Sequence, residues 1–95
     1  MNDARLTKSE IHTKAAQLSD WQLTDNGLVR QFTFADFTLA FQFMQQVAAL
    51  AERANHHPEW SNVYNKVNIT LTTHEYRGVS QRDFDLANAI NRISL

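Results

Sequence analysis

At 95 residues, with 43% hydrophobic and 11% aromatic content, the chain carries enough apolar material for a single packed domain over residues 1–95. Nothing in a net charge of −1 points to nucleic acid, whose direct binding requires a basic stripe, and no run of 18 apolar residues is present to span a membrane. The absence of cysteine removes disulfides, thiolate nucleophiles and cysteine–zinc sites together. Met1 to Glu10 is polar and lacks the apolar core of a signal peptide, so the simplest location is cytoplasmic. A domain this small buries only about 60–65% of its unfolded-chain surface, and oligomerisation is one way to offset that.

Thr7-Lys8-Ser9-Glu10 has the form of a capping box, and Ile11, Ala15 and Leu18 follow at helical spacing, which predicts a short helix over 8–18. Trp21 to Thr24 reads as a strand, Asp25-Asn26-Gly27 as a turn, and Leu28 to Phe34 as the return strand of a hairpin. Leu28, Phe32 and Phe34 share one face of that strand, interrupted by Arg30.

Asp36 is placed to cap a long helix over about 37–54, roughly 27 Å in length. Its first apolar stripe is Phe37, Ala40, Phe41, Met44, Val47, Ala48 and Ala51. A second, made of Leu39, Phe43 and Leu50, lies about 120° round the helix, and one sheet cannot cover both. The second stripe is therefore the expected subunit interface.

Asn55-His56-His57-Pro58 ends this helix, with His57 extended because a proline follows it. Val63 to His74 is rich in β formers, with Val67, Ile69 and Leu71 on one face; Val63-Tyr64 is a candidate short strand before it. Arg77-Gly78 marks a turn, and Ser80 to Asp83 resembles a capping box opening a last helix that carries Phe84, Leu86, Ala87, Ile90 and Ile93. The order α-β-β-α-β-β-α predicts an α+β two-layer sandwich, an antiparallel sheet of about four strands packed on helices.

Three of the four histidines fall in two short segments: His56 and His57 after the long helix, and His74 at the expected end of a later strand. The intervening segment can bring them to one rim. Glu52 precedes His56 by four residues, a spacing that would let its carboxylate orient that imidazole, and Trp60 is near enough to offer an aromatic wall for a flat heterocycle. Because histidine titrates near neutrality, such a cluster can hold one acid and one base together. Solvated helix-end residues are the bland alternative. Zinc is the sharper one, since three histidines and Glu52 are legitimate ligands. Against zinc, adjacent histidines seldom converge on one ion, and neither H-x-H nor H-x-x-x-H occurs. No G-x-S-x-G or phosphate-cradling glycine loop is present, and His12 reads as a surface residue.

The run Glu52-Arg53-Ala54-Asn55-His56-His57-Pro58-Glu59-Trp60, then Val63-Tyr64-Asn65-Lys66-Val67, then Leu71-Thr72-Thr73-His74 resembles the signature of the pterin-4a-carbinolamine dehydratases. In animals these are also known as the dimerisation cofactor of a hepatocyte homeodomain factor. The resemblance extends from about Trp21 to Ile93 and includes Asp83 in the segment Ser80 to Ala87. It implies dehydration of 4a-hydroxytetrahydropterin to quinonoid dihydropterin, with no metal and no organic cofactor, in recycling the cofactor of aromatic amino acid hydroxylases. It further implies that His56 and His74 are the acid/base pair, that His57 positions substrate, and that Glu52 supports His56. Pro58, Trp60, Thr73, Glu75 and Tyr76 would complete the substrate contacts. The resemblance also implies a homodimer or homotetramer. A protein-interaction or coactivator module using Leu39, Phe43 and Leu50 is the alternative function.

Overall fold

The computed structural model describes residues 5–95; the polar character expected of Met1 to Ala4 falls outside them. In chain order come α1 (Lys8–Gln17), β1 (Gln22–Thr24), β2 (Gly27–Thr33), α2 (Phe37–Ala54), β3 (Glu59–Val63), β4 (Lys66–Leu71), a 3₁₀ turn (His74–Tyr76) and α3 (Gln81–Asn91). The four strands form one antiparallel sheet in the order β1-β2-β4-β3. Helix and strand order match the sequence expectation.

Local chemistry sets the element ends. Thr7 Oγ1 accepts from the Glu10 amide at 3.1 Å, while Glu10 Oε1 accepts from the Thr7 amide at 2.8 Å. Asp36 Oδ1 accepts from the Leu39 amide at 2.9 Å and starts α2. Caps of this kind contribute about 1 kcal/mol each. Gly27 sits at φ 128°, and a Cβ there would lie 2.3 Å from the carbonyl oxygen of Leu71, so the β1–β2 turn admits only glycine.

The register places Leu28 opposite Leu71, Arg30 opposite Ile69 and Phe32 opposite Val67, all on the helix-facing side. Above them lie Ala40, Phe43, Val47 and Ala51 of α2 and Phe84, Leu86, Ala87 and Ile90 of α3. Phe43 meets both Phe32 and Phe34, with ring centroids 4.5 and 5.0 Å away. Arg30, the charge on the apolar face, donates from Nη1 to Asn91 Oδ1 at 2.7 Å and lays its guanidinium over the Phe32 ring.

Three sequence expectations are corrected. The apolar arc of α2 is nearly continuous, and the sheet takes its middle rather than one end. Phe43 is therefore core, 3% exposed, and the edge left bare holds Phe37 and Phe41, each 47% exposed. Leu39 and Leu50 are half-buried on the other edge, and Leu50 packs against the core. Second, β3 begins directly after Pro58 rather than at Val63: Glu59 and Asn62 disfavour strands, but Trp60 pairs with Ile69 and the partner strand decides the segment's conformation. Third, β4 stops at Leu71, so His74 opens the 3₁₀ turn instead of ending the strand. Arg77 takes a left-handed φ of 55°, closing the loop so that the Thr73 amide donates to Gly78 O at 2.8 Å and the Gly78 amide to Thr73 O at 3.3 Å.

Candidate active site

The end of α2 aims His56 inward. Asn55 takes the left-handed conformation, φ 51° and ψ 44°, which asparagine tolerates better than most residues. The His56 amide then bonds Ala51 O at 3.0 Å, and its side chain turns under the helix, 8% exposed.

There it meets Asp83 from the first turn of α3, which is completely buried. His56 Nε2 lies 2.6 Å from Asp83 Oδ1. Asp83 Oδ2 accepts from the Ser80 amide and from the Thr73 hydroxyl, both at 2.8 Å. A buried carboxylate is costly unless hydrogen-bonded, and this one has three donors. Since a carboxylate only accepts, His56 carries its proton on Nε2 in this contact, leaving Nδ1 as the ring nitrogen outside it; His56 also lines a cavity.

That cavity measures about 260 Å³ and is lined by Asn55, His56, His57, Thr72, Thr73, His74, Glu75 and Arg82. The three histidines of the sequence reading thus share one rim. Glu52 departs from its expected place: Oε2 sits 2.6 Å from His57 Nε2, not on His56. The helix ends between Glu52 and His56, so the four-residue helical spacing no longer aligns them, and the position beside His56 is taken by Asp83. His74 Nε2 forms an ion-pair contact with Glu59 Oε2 at 2.9 Å. Each imidazole therefore has a carboxylate on Nε2, one pair buried and two exposed.

Thr73 and Glu75 stand at the cavity as expected, whereas Pro58, Trp60 and Tyr76 lie outside its lining. Trp60 shares the face of Ile69 and packs against the core. The guanidinium groups of Arg5 and Arg82 lie 5.0 and 5.8 Å from the Tyr76 ring centroid. Hydrogen bonding to Tyr76, and then to Glu75 at 2.9 Å, pushes the Arg82 guanidinium above the ordinary arginine range. Sequence reasoning missed Glu59, Arg82, Asn55 and Thr72 as site residues, and saw Asp83 as a cap within the family resemblance but not as the partner of His56. Among the described residues no three His, Asp or Glu side chains are grouped as a metal site would need. A larger cleft of about 420 Å³ lies against α1, with Ile11, Leu23 and Val79 in its lining, and contains none of the three clustered histidines.

Residues 4–93 match the family model described as pterin 4 alpha carbinolamine dehydratase. The chain belongs to this family. A provisionally named pterin-4-alpha-carbinolamine dehydratase of Novosphingobium aromaticivorans is 52% identical over 92 residues, covering 95% of this chain and 96% of that protein. A Prochlorococcus marinus protein of the same provisional name is 52% identical over 91 residues, covering 96% and 95% respectively. The crystal structure of a transcriptional coactivator/pterin dehydratase from Brucella melitensis superposes with a TM-score of 0.85 at 45% identity, over 92% of this chain and 95% of that one. In this dehydratase-family chain, then, the buried His–Asp pair sits at the junction of the two helices that hold the sheet.

Proposed function

We propose that the three-histidine cavity is where this pterin-4a-carbinolamine dehydratase removes water from a 4a-hydroxytetrahydropterin to give the quinonoid dihydropterin. The observation that carries the assignment is the convergence of His56, His57 and His74 on one cavity, each with Nε2 turned to a carboxylate. Dehydration makes two demands. The C4a hydroxyl leaves only when a proton reaches it, and N5 must give up its proton as the C4a=N5 bond forms. An imidazole poised to donate and another poised to accept meet both, and such catalysis contributes about 10²–10⁴-fold.

In this proposal His56 and His74 are the acid/base pair. His57, steered by Glu52, binds and positions the ring, and the backbone at Thr73 and Glu75 supplies contacts beside His74. The product re-enters the cofactor cycle of aromatic amino acid hydroxylases. The working form is a cytoplasmic homodimer or homotetramer. The bare Phe37 and Phe41 rings on α2, 5.8 Å apart, support assembly along that edge rather than along Leu39, Phe43 and Leu50.

Stopped-flow absorbance on freshly generated 4a-hydroxytetrahydropterin tests the reading. His56→Ala and His74→Ala should each lower turnover by at least about tenfold with the circular dichroism spectrum retained. Near-normal rates in both variants would refute it.

A further inference from the structure

Proton counting around Asp83 reaches one layer beyond the histidines. Thr73 has one hydroxyl hydrogen, and it goes to Asp83 Oδ2. Thr73 Oγ1 also lies 2.7 Å from Ser80 Oγ, so that bond must run from Ser80 to Thr73. Ser80 Oγ in turn accepts from the Arg82 amide at 3.3 Å. The chain is unidirectional: backbone amide to Ser80, Ser80 to Thr73, Thr73 to Asp83. The Ser80 amide adds a second donor to the same Oδ2, and a backbone N–H cannot reverse its role. Oδ2 is saturated, so Oδ1 is the only oxygen of Asp83 left to face His56, and it faces it as an acceptor.

We infer that the Thr73 hydroxyl is a positioning group for the dehydration. Through Asp83 it fixes the orientation of His56, holding in place the carboxylate that receives Nε2–H, so that Nδ1 is presented to the cavity. The backbone of Thr73 does related work, because its two hydrogen bonds to Gly78 close the loop on which His74 stands. One buried residue, 2% exposed, thus ties the setting of His56 to that of His74. The role deepens the dehydratase reading of the cavity and rests on it.

The test uses the intact protein and three variants. Thr73→Val keeps shape but removes the donor; Thr73→Ser keeps the donor; Ser80→Ala removes the group that orients the Thr73 hydroxyl. Two quantities are read: kcat and KM by stopped flow, and the ring resonances of His56, Nε2–H included, by long-range ¹⁵N–¹H NMR without substrate. Thr73→Val should lower kcat by about tenfold or more with KM within about twofold, and should shift the His56 Nε2–H resonance as its bond to Asp83 loosens, the ring staying in the Nε2–H form. Thr73→Ser should restore both. A Thr73→Val protein that melts earlier but keeps kcat and an unchanged His56 spectrum would reduce Thr73 to a structural part and overturn the inference, as would a Ser variant no better than Val. Should Thr73→Val not fold, Ser80→Ala decides by the same two readouts, an unchanged His56 signal counting against. If the wild-type protein does not turn the pterin over, the dehydratase reading fails by itself, and the NMR arm still judges the positioning role.

Discussion

His56 Nε2 and Asp83 Oδ1 stand 2.6 Å apart, joining the end of α2 to the start of α3 inside the protein. An asparagine at position 83 would keep the shape and reverse the proton logic. The Ser80 amide and Thr73 hydroxyl both need an acceptor where Oδ2 now lies, so the amide oxygen must go there and the NH₂ must face His56. His56 would then accept at Nε2 and carry its proton on Nδ1, the wrong tautomer for the cavity. Asp83→Asn is expected to lower turnover by about 100-fold or more while the fold persists, the same logic as an Asn in place of the aspartate of a catalytic triad. Stopped-flow rates beside circular dichroism check it, and near-wild-type turnover would remove Asp83 from the mechanism.

The other two imidazole–carboxylate pairs should behave differently. In His57–Glu52 and His74–Glu59 every side chain is more than half exposed. Water screens such pairs, and exposed ion pairs contribute about 0–1 kcal/mol. Glu52→Ala and Glu59→Ala are therefore expected to change kcat by less than about fivefold, with the effect of Glu52 falling on KM because it steers His57. Raising the salt concentration should shrink what difference remains. A hundredfold loss of kcat in either variant would mean that substrate binding buries the pair.

Much of this was legible in the chain, and the failures share a cause. Thr7, Asp36 and Ser80 announced the helix starts because capping is local chemistry. The histidine rim was legible because Asn55 and Pro58 fix where α2 must stop. The partners of the histidines were not. Asp83 lies 27 residues from His56 and reads as a cap, a job it also performs, so nothing local marks its second oxygen. Glu52 was assigned to His56 by extending helical spacing past Asn55, where the backbone turns left-handed. Phe43 was placed on an interface because an apolar arc seen from one helix cannot say which part the sheet will cover.

That last point gives a paired prediction on α2. Phe43→Ala removes a ring packed on Phe32 and Phe34 and should cost about 3–5 kcal/mol, a large part of the stability of a domain this size. Phe41→Ser, on the bare edge, should lower the urea midpoint of the isolated protomer far less than Phe43→Ala, because its ring is 47% exposed against 3% for Phe43. Light scattering should instead report a smaller assembly for Phe41→Ser. A wild-type mass for that variant would clear the Phe37–Phe41 edge of any part in assembly.

The two glycines separate conformation from space. At Gly27 an alanine would face both a φ of 128°, strained for any L side chain, and a Cβ pressed to 2.3 Å from the Leu71 carbonyl oxygen. That oxygen belongs to β4 in the middle of the sheet and cannot retreat without disturbing the register of Leu28 against Leu71. Gly27→Ala is expected to lower Tm by about 10 °C or more, each kcal/mol being worth about 4–8 °C in a domain of this length. Gly78 is the opposite case. A Cβ there meets nothing within 4 Å, and φ lies outside the left-handed range, which Arg77 occupies instead. The bonds of Gly78 to Thr73 use only backbone atoms, so alanine keeps them. Replacing this glycine narrows the unfolded ensemble without straining the native loop, and Gly78→Ala should raise Tm by a few degrees, about 0.4–1 kcal/mol, with dehydration kinetics intact. Thermal melts of the two single variants check the pair; a Gly78→Ala protein that melts well below wild type would show that the loop bearing His74 must bend in a way only glycine allows.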